Sequence, residues 1–207
     1  MKRKYIGILL GIMLTLHCNA GRNWDFKTRY LGMRVNDRGY IVSLKNIMVK
    51  PAPEFSPADK PSPLLSLYDS RKKVYYMPSK ALYDKHKGRF TLEYPNGSCA
   101  EVSLQPCGKY FRLTLEKLAP RNGIDAIQWG PYHTNITNLL GEIIGVARDT
   151  SDRVNYCIGV LALDDNTLGG TADVEGDAAP FQYIIHTPDP VRYPLPAHLH
   201  EGQVFTL

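Results

Sequence analysis

Residues 89–116, RFTLEYPNGSCAEVSLQPCGKYFRLTLE, decide the fold of this chain. Apolar and polar residues alternate along three segments of this stretch, and a period of two is typical of antiparallel strands that bury one face. The apolar positions are Phe90, Leu92, Tyr94, Ala100, Val102, Leu104, Phe111, Leu113 and Leu115. The polar positions are Arg89, Thr91, Glu93, Glu101, Ser103, Gln105, Arg112, Thr114 and Glu116. The stretch therefore predicts three consecutive strands with a core face and a solvent face.

The turn between the first two segments fixes their register. A two-residue turn at Asn96-Gly97 would set apolar Leu92 opposite polar Glu101, which the pleat of a sheet forbids. A three-residue loop, 95–97, sets Leu92 opposite Ala100 instead, and its glycine can take a left-handed conformation. We therefore predict the three-residue loop.

The same alternation extends over most of the chain. Around nine short strands at regular spacing predict an all-β protein, an antiparallel β-sandwich. The first predicted hairpin places Met33 opposite Val42. Two short segments, 79–86 and 136–140, are predicted to be helical. The other predicted strands lie within 31–35, 40–44, 64–69, 73–77, 124–129, 142–148 and 155–163.

A proline-rich stretch, residues 51–63, lies between the first two predicted hairpins. Too few strands precede it to form a stable unit of their own, so it predicts a crossing loop rather than a domain linker. The chain of 207 residues is long enough for one domain with a sizeable core. We predict a single β-sandwich domain over 21–207, in which 171–207 forms a poorly defined C-terminal tail.

Residues 1–20 have the layout of a secretory signal peptide. A basic start, residues 2–4, precedes a short apolar run, and Ala20 ends a plausible cleavage site. We predict cleavage after Ala20 and export to the periplasm or the extracellular space. Lipid attachment at Cys18 is the alternative, although bulky His17 stands where lipidation favours a small residue. The apolar run is shorter than the stretch of about 18 residues that spans a bilayer, so no transmembrane segment is expected after cleavage.

Charge argues against a nucleic-acid partner. Of the 25 basic and 20 acidic residues, the predicted signal peptide holds three basic ones and no acidic one. The mature chain keeps 22 basic and 20 acidic residues, a net charge of +2. Arg71-Lys72-Lys73 is a short run typical of a hairpin tip, and no longer basic stripe follows it.

The cysteines and histidines define the possible metal chemistry. Cys99, Cys107 and Cys157 remain after cleavage, and their odd number leaves at least one thiol unpaired within the chain. His198 and His200 would lie on one face of a strand, and they make a candidate metal site together with Glu201 and His186. A histidine-bearing tail without metal is the favoured alternative, because no complete ligand pattern is present. We therefore expect no metal and no other cofactor.

An aromatic corner, Trp-Gly-Pro-Tyr at 129–132, is the candidate binding site. Gly130 and Pro131 cannot both lie in a regular interior strand, so the backbone must turn between two flat aromatic rings. Trp129, Tyr132 and the adjacent His133 are candidate carbohydrate-binding residues, because a ring held at a rigid corner can stack on a sugar. The alternative is that Trp129 fills the sandwich core, as large aromatic residues often do.

Several segments carry a family resemblance. They are LGMRV (31–35), KN (45–46), PLLSLY (63–68), IQWGPY (127–132), GEIIGVARD (141–149), IGVLAL (158–163) and TLGG (167–170). In this order they resemble the N-terminal, galactose-mutarotase-like β-sandwich of secreted glycoside hydrolases from Bacteroidetes-type bacteria, over roughly residues 24–170. The resemblance implies a large sandwich that precedes a catalytic barrel and contacts carbohydrate.

The chain also departs from that family. It contains no barrel, so the resemblance assigns no catalytic residue. The sequence after Gly170 does not match the family, and we expect a truncated or frameshifted product whose catalytic domain is encoded downstream. The predicted function is an exported, non-catalytic module that contacts carbohydrate or supports the missing barrel. A free-standing carbohydrate-binding or adhesion module is the alternative, and a small metal-dependent enzyme that uses His198 and His200 is the third.

Overall fold

The computed structural model describes residues 21–134, 139–141, 145–148, 157–163, 181–184 and 204–206. Every element in these residues is a β-strand and every strand pairing is antiparallel, so the predicted all-β, antiparallel β-sandwich is confirmed. More strands are present in the described residues than the nine or so predicted. They are β1 (Asn23–Lys27), β2 (Leu31–Asn36), β3 (Tyr40–Asn46), β4 (Ser62–Pro63), β5 (Leu65–Asp69), β6 (Val74–Tyr76), β7 (Lys80–Asp84), β8 (Arg89–Glu93), β9 (Cys99–Cys107), β10 (Tyr110–Leu118), β11 (Ala126–Tyr132), β12 (Leu139–Gly141), β13 (Gly145–Arg148), β14 (Cys157–Ala162), β15 (Phe181–Ile184) and β16 (Val204–Thr206).

The strands form three sheets. The N-terminal sheet has the order β1-β2-β3-β4, and the large sheet has the order β12-β13-β14-β16-β10-β9-β8-β7. The third sheet has the order β15-β11-β5-β6. Strands β15 and β16 come from the segment 171–207, for which the sequence predicted no defined element. The strands predicted from 89–116 are β8, β9 and β10, which are consecutive neighbours in the large sheet.

One hydrophobic core joins the three sheets. The N-terminal sheet contributes Met33 and Val35, the large sheet contributes Phe90 and Phe111, and the third sheet contributes Trp129. None of these five side chains is more than 2% exposed. Each large apolar side chain buried in this way stabilises the fold by about 1.5–3 kcal/mol relative to its exposed state.

The hairpin of β8 and β9 has the predicted register. Leu92 lies opposite Ala100, and Phe90 lies opposite Val102. Gly97 has a φ of +80°, which is the left-handed conformation expected for the last loop position. The alternation of the sequence therefore places the apolar residues of both strands on the same face.

The predicted register of the first hairpin is wrong by two residues. Met33 lies opposite Leu44 rather than Val42. The register then shifts, and Val35 lies opposite Ile41. A regular strand could not bury both Ile41 and Leu44 on one face, because an odd number of positions separates them. The irregularity allows both side chains to reach the core.

Residues Lys80–Asp84 form strand β7, so the prediction of a helix over 79–86 is wrong. Strand β7 pairs with β8 along the edge of the large sheet. Ala81 is buried while Leu82 is 51% exposed, which is a two-residue alternation that the apolar character of Leu82 hid in the sequence. Leu139–Gly141 is also a strand, and 136–138 lie outside the described residues. The described part of the chain contains no helix long and apolar enough to cross a membrane.

Glu54 fastens the proline-rich stretch to the N-terminal sheet. One carboxylate oxygen accepts a hydrogen bond of 2.7 Å from the backbone N–H of Leu44, and the other accepts one of 2.6 Å from the hydroxyl of Ser43. Strand β4 then pairs with β3 before the chain enters the third sheet at β5. The stretch therefore crosses between two sheets that share a core.

Four aromatic rings join the N-terminal sheet to the large sheet. Trp24 and Phe90 pack edge to face with ring centroids 5.4 Å apart, and Phe26 and Tyr83 do so at 5.1 Å. Phe90 contacts each of the other three rings and is 0% exposed. Edge-to-face aromatic pairs stabilise proteins by about 0.5–1.5 kcal/mol beyond the burial of their area.

We expect Phe90→Ala to lower the free energy of unfolding by about 3–5 kcal/mol, because it removes the central ring and leaves a cavity. Leu82→Ala on the neighbouring strand is the matched control, since Leu82 is exposed, and its change should stay within about 0.5 kcal/mol. Urea denaturation followed by fluorescence measures both values. Equal losses in the two variants would contradict the described packing.

Candidate functional site

Both rings of the predicted aromatic corner are buried. Trp129 is 0% exposed and Tyr132 is 2% exposed, and both residues belong to the shared core. The corner itself is present, because the pairing of β11 with β15 shifts between Trp129 and Tyr132 and Gly130 has a φ of +83°. Neither ring presents an open face for stacking in this structure, which favours the core alternative for both residues.

The corner exchanges side-chain hydrogen bonds with β5 and with Leu64, the residue before it. The hydroxyl of Tyr132 donates to the carbonyl of Leu64 at 2.9 Å, and the hydroxyl of Ser66 donates to the carbonyl of Gly130 at 2.7 Å. Burial raises the pKa of Tyr132 well above its usual range, so its hydroxyl stays protonated and donates at any pH the fold survives. These contacts give Tyr132 a structural role at the corner.

His133 is the one partly exposed member of the predicted site. Its backbone N–H donates to the hydroxyl of Ser62 at 2.8 Å. Burial lowers the pKa of its imidazole, the nearby Lys60 lowers that pKa further, and Asp59 opposes the shift. The imidazole is therefore neutral at pH 7 and can donate one hydrogen bond and accept another.

The predicted metal ligands cannot be placed. His186, His198, His200 and Glu201 lie outside the described residues, as do residues 1–20. Within the described part of the chain, no group of three or more histidine, cysteine, aspartate or glutamate residues is arranged to hold a metal ion. Cys99 and Cys107 are free thiols, and burial, followed by repulsion from Glu93, raises the pKa of Cys99.

The polar face of β8, β9 and β10 is a second candidate site. We call it the Arg89 face. It lies opposite the core face of the large sheet, and register places its members side by side on three strands. Its members are Arg89, Thr91, Glu93, Glu101, Ser103, Gln105, Arg112, Thr114, Glu116 and Lys117.

Arg89 lies between two carboxylates on this face. Its guanidinium donates to Glu101 at 2.6 Å, and a second nitrogen lies 3.9 Å from Glu116. The three side chains are 31–34% exposed, so this ion-pair network is partly shielded from water. A charge-assisted contact of this length is among the stronger hydrogen bonds in proteins and holds the guanidinium plane in place.

Three buried donors on the Arg89 face have no hydrogen-bond partner among the described residues. They are the hydroxyl of Ser103 and the Nε atoms of Arg89 and Arg112. Ser103 is only 3% exposed and lies directly opposite Arg89 in the register, with Thr114 on its other side. Buried polar groups normally have hydrogen-bond partners, and a buried group without one lowers the stability of the fold by about 1–3 kcal/mol. The three unsatisfied groups therefore make this face a candidate binding surface.

An exposed aromatic residue flanks the unsatisfied donors. Tyr110 is 37% exposed, and its hydroxyl lies 3.5 Å from a guanidinium nitrogen of Arg112. The face thus combines guanidinium and hydroxyl donors, carboxylate acceptors and one accessible ring. Such a set can bind a ligand that offers both hydrogen-bond donors and acceptors on a small apolar ring.

Comparison of the chain with protein-family models, with curated proteins and with solved structures found no match. The resemblance to galactose-mutarotase-like sandwiches therefore remains a prediction, and the function is inferred from the described geometry.

Sequence reasoning identified the residues of the Arg89 face but assigned them to solvent. The alternation of 89–116 predicts which residues share this face, and the structure confirms the register of β8 and β9. The alternation does not indicate that Ser103 is buried, because a serine on a polar face is ordinarily exposed. A large aromatic ring beside a turn is a stronger sequence signal for a binding site than a serine on a polar face, so the sequence predicts Trp129 as a binding residue instead.

We expect Tyr132→Phe to lower the free energy of unfolding by about 1–3 kcal/mol, because the buried carbonyl of Leu64 loses its hydroxyl donor. Tyr75→Phe is the matched control, since Tyr75 is 40% exposed. Its change should stay within about 0.5 kcal/mol. Chemical denaturation measures both, and a neutral Tyr132→Phe variant would rule out the structural role.

Proposed function

We propose that this chain is an exported, non-catalytic β-sandwich module that contacts carbohydrate through the Arg89 face. The supporting observation is the hydroxyl of Ser103, which is buried without a partner in the described residues beside the Arg89–Glu101 ion pair. A ligand oxygen can accept from such a donor, and an adjacent sugar hydroxyl can donate to the neighbouring carboxylate of Glu101. Neighbouring groups of one ligand therefore satisfy both sides of the site.

The charges of the face suit a hydroxyl-rich ligand better than a nucleic acid. Three cations, Arg89, Arg112 and Lys117, are balanced by three carboxylates, Glu93, Glu101 and Glu116, so the face has no net positive charge for a phosphate backbone. Pairs of adjacent sugar hydroxyls match the side-by-side arrangement of a guanidinium and a carboxylate. Tyr110 at the border of the face offers an exposed ring for contact with the apolar side of a sugar.

The aromatic corner and the Arg89 face have different roles. Trp129 and Tyr132 support the fold at the corner of the third sheet, and the Arg89 face contacts the ligand. His133 is accessible in part, but it lies on the β11 corner and is not a member of the Arg89 face. A module of this kind either serves a separately encoded catalytic barrel or acts alone as a binding or adhesion module. A barrel encoded directly downstream, in any reading frame, distinguishes the first role from the second.

The binding prediction is tested with a panel of oligosaccharides and NMR shift perturbation on the mature chain. We expect the shifted amides to lie on β8, β9 and β10. Glu101→Gln should weaken binding about tenfold, since loss of one charge-assisted hydrogen bond costs about 1.5–3 kcal/mol. Ser103→Ala should weaken it about fivefold, which corresponds to about 1 kcal/mol.

The control for this test is Asp25→Asn. It removes a carboxylate from the exposed Asp25–Arg34 ion pair of the N-terminal sheet and leaves the Arg89 face unchanged. The free energy of unfolding of each variant must match that of the wild type to within about 1 kcal/mol. This is the most that an exposed ion pair contributes. Binding that is lost equally in all three variants, or shifts that map to the β11 corner, would contradict the proposed surface.

Export is tested separately by mass spectrometry of the protein from its native host. Because a basic start and a short apolar run precede Ala20, we expect the mature chain to begin at Gly21. A lipid-modified Cys18 would support the anchored alternative, and an intact Met1 would refute export by this signal.

A further inference from the structure

The two arginines of the Arg89 face have different electrostatic surroundings. Arg89 contacts the carboxylate of Glu101 and lies near that of Glu116. Arg112 makes no ion pair with any carboxylate of the described residues, and one of its guanidinium nitrogens lies 3.5 Å from the neutral hydroxyl of Tyr110. Although the charges of the whole face are balanced, Arg112 has no counter-ion among the described residues.

The register explains why Arg112 has no counter-ion. It lies opposite Gln105 on β9, and its neighbours two positions along β10 are Tyr110 and Thr114. Ser103 is the diagonal neighbour on β9, one pair further along. Thr206 on β16, the other neighbour of β10, also lies opposite Arg112. All five residues are uncharged, so none of these described neighbours supplies a carboxylate.

This arrangement leaves donors that require an acceptor. The Nε of Arg112 and the hydroxyl of Ser103 are both buried without a partner among the described residues. A guanidinium binds carboxylate and sulfate groups through two parallel hydrogen bonds, and it does so best where water is partly excluded. An oxyanion at this position would satisfy both donors and would supply the missing counter-charge.

We propose that Arg112 and Ser103 form an oxyanion subsite, so that the Arg89 face takes acidic glycans whose sugars carry a carboxylate or a sulfate. This inference rests on the proposed carbohydrate function and names the class of ligand. The sugar ring lies over Arg89 and Glu101, where donors and acceptors are paired, and the acidic substituent lies against Arg112. Gln105 is exposed at the border of the subsite and can donate to the same group.

The test compares three oligosaccharides on the mature chain by isothermal titration calorimetry. They are an oligogalacturonate, a sulfated galactan oligosaccharide and an uncharged galactan oligosaccharide of similar length. Sodium sulfate serves as the free anion. We expect one or both acidic oligosaccharides to bind about tenfold more tightly than the uncharged one, and more tightly than free sulfate, because a charge-assisted bidentate contact adds to the sugar contacts.

Three variants assign the preference to a residue. Arg112→Gln should abolish it, so that the acidic oligosaccharides bind no more tightly than the uncharged one. Arg112→Lys should retain part of it, because lysine keeps the charge but not the planar pair of donors. Arg34→Gln removes a positive charge from the N-terminal sheet and should leave the preference intact, which excludes an effect of net charge alone.

The outcomes separate this inference from the function on which it rests. Equal binding of charged and uncharged oligosaccharides would overturn the oxyanion subsite and leave the carbohydrate function standing. A preference that survives in Arg112→Gln, or that disappears in Arg34→Gln, would overturn the assignment to Arg112. Free sulfate that binds as tightly as the oligosaccharides would also overturn it, and no binding of any oligosaccharide would refute both proposals.

Discussion

The register between β8 and β9 is the constraint on which the rest of the structure depends. With Leu92 opposite Ala100, alternate apolar residues of three neighbouring strands enter the core, up to an irregularity of β10 after Leu115. A slip of one residue would turn Arg89 and Glu101 toward the core instead, and burying these charges away from water costs several kcal/mol each. The short loop that ends at Gly97 holds the register. A local turn thus decides which face of the large sheet is apolar and which face can meet a ligand.

The same register distributes charge over the polar face. Glu101 lies diagonally across from Arg89, so these two side chains meet at 2.6 Å without distortion of either strand. Arg112 faces Gln105 and finds no carboxylate in the neighbouring positions of the described strands. The two arginines are chemically identical, and only their places in the ladder make one a structural partner and the other a free cation. Ligand chemistry on this face is therefore a consequence of strand pairing.

The sequence was sufficient where local pattern and tertiary packing agree. The strands of 89–116 and their polar face could be predicted, because alternation and turn length both require the same register. Strand β7 could not be predicted, because apolar Leu82 occupies an exposed position and hides the alternation of apolar and polar residues in the sequence. The register of the first hairpin could not be predicted for another reason. The pairing of β2 with β3 is irregular between Arg34 and Val35, and this irregularity is required only because Ile41 and Leu44 are both buried in the core.

The aromatic corner shows why a segment that resembles a binding motif can be structural. The pairing of β11 with β15 is irregular between Trp129 and Tyr132, and its regular ladder with β5 ends at the pair of Trp129 and Leu65, so the backbone beyond that pair needs other partners. Side chains replace it: Tyr132 donates to Leu64, Ser66 donates to Gly130, and Tyr94 donates to the carbonyl of Leu65 at 3.0 Å. A buried turn needs donors on rigid side chains, and tyrosine supplies a hydroxyl together with apolar surface. The composition that suits sugar stacking therefore also suits a corner in the core, and burial, which depends on residues far apart in the chain, distinguishes the two.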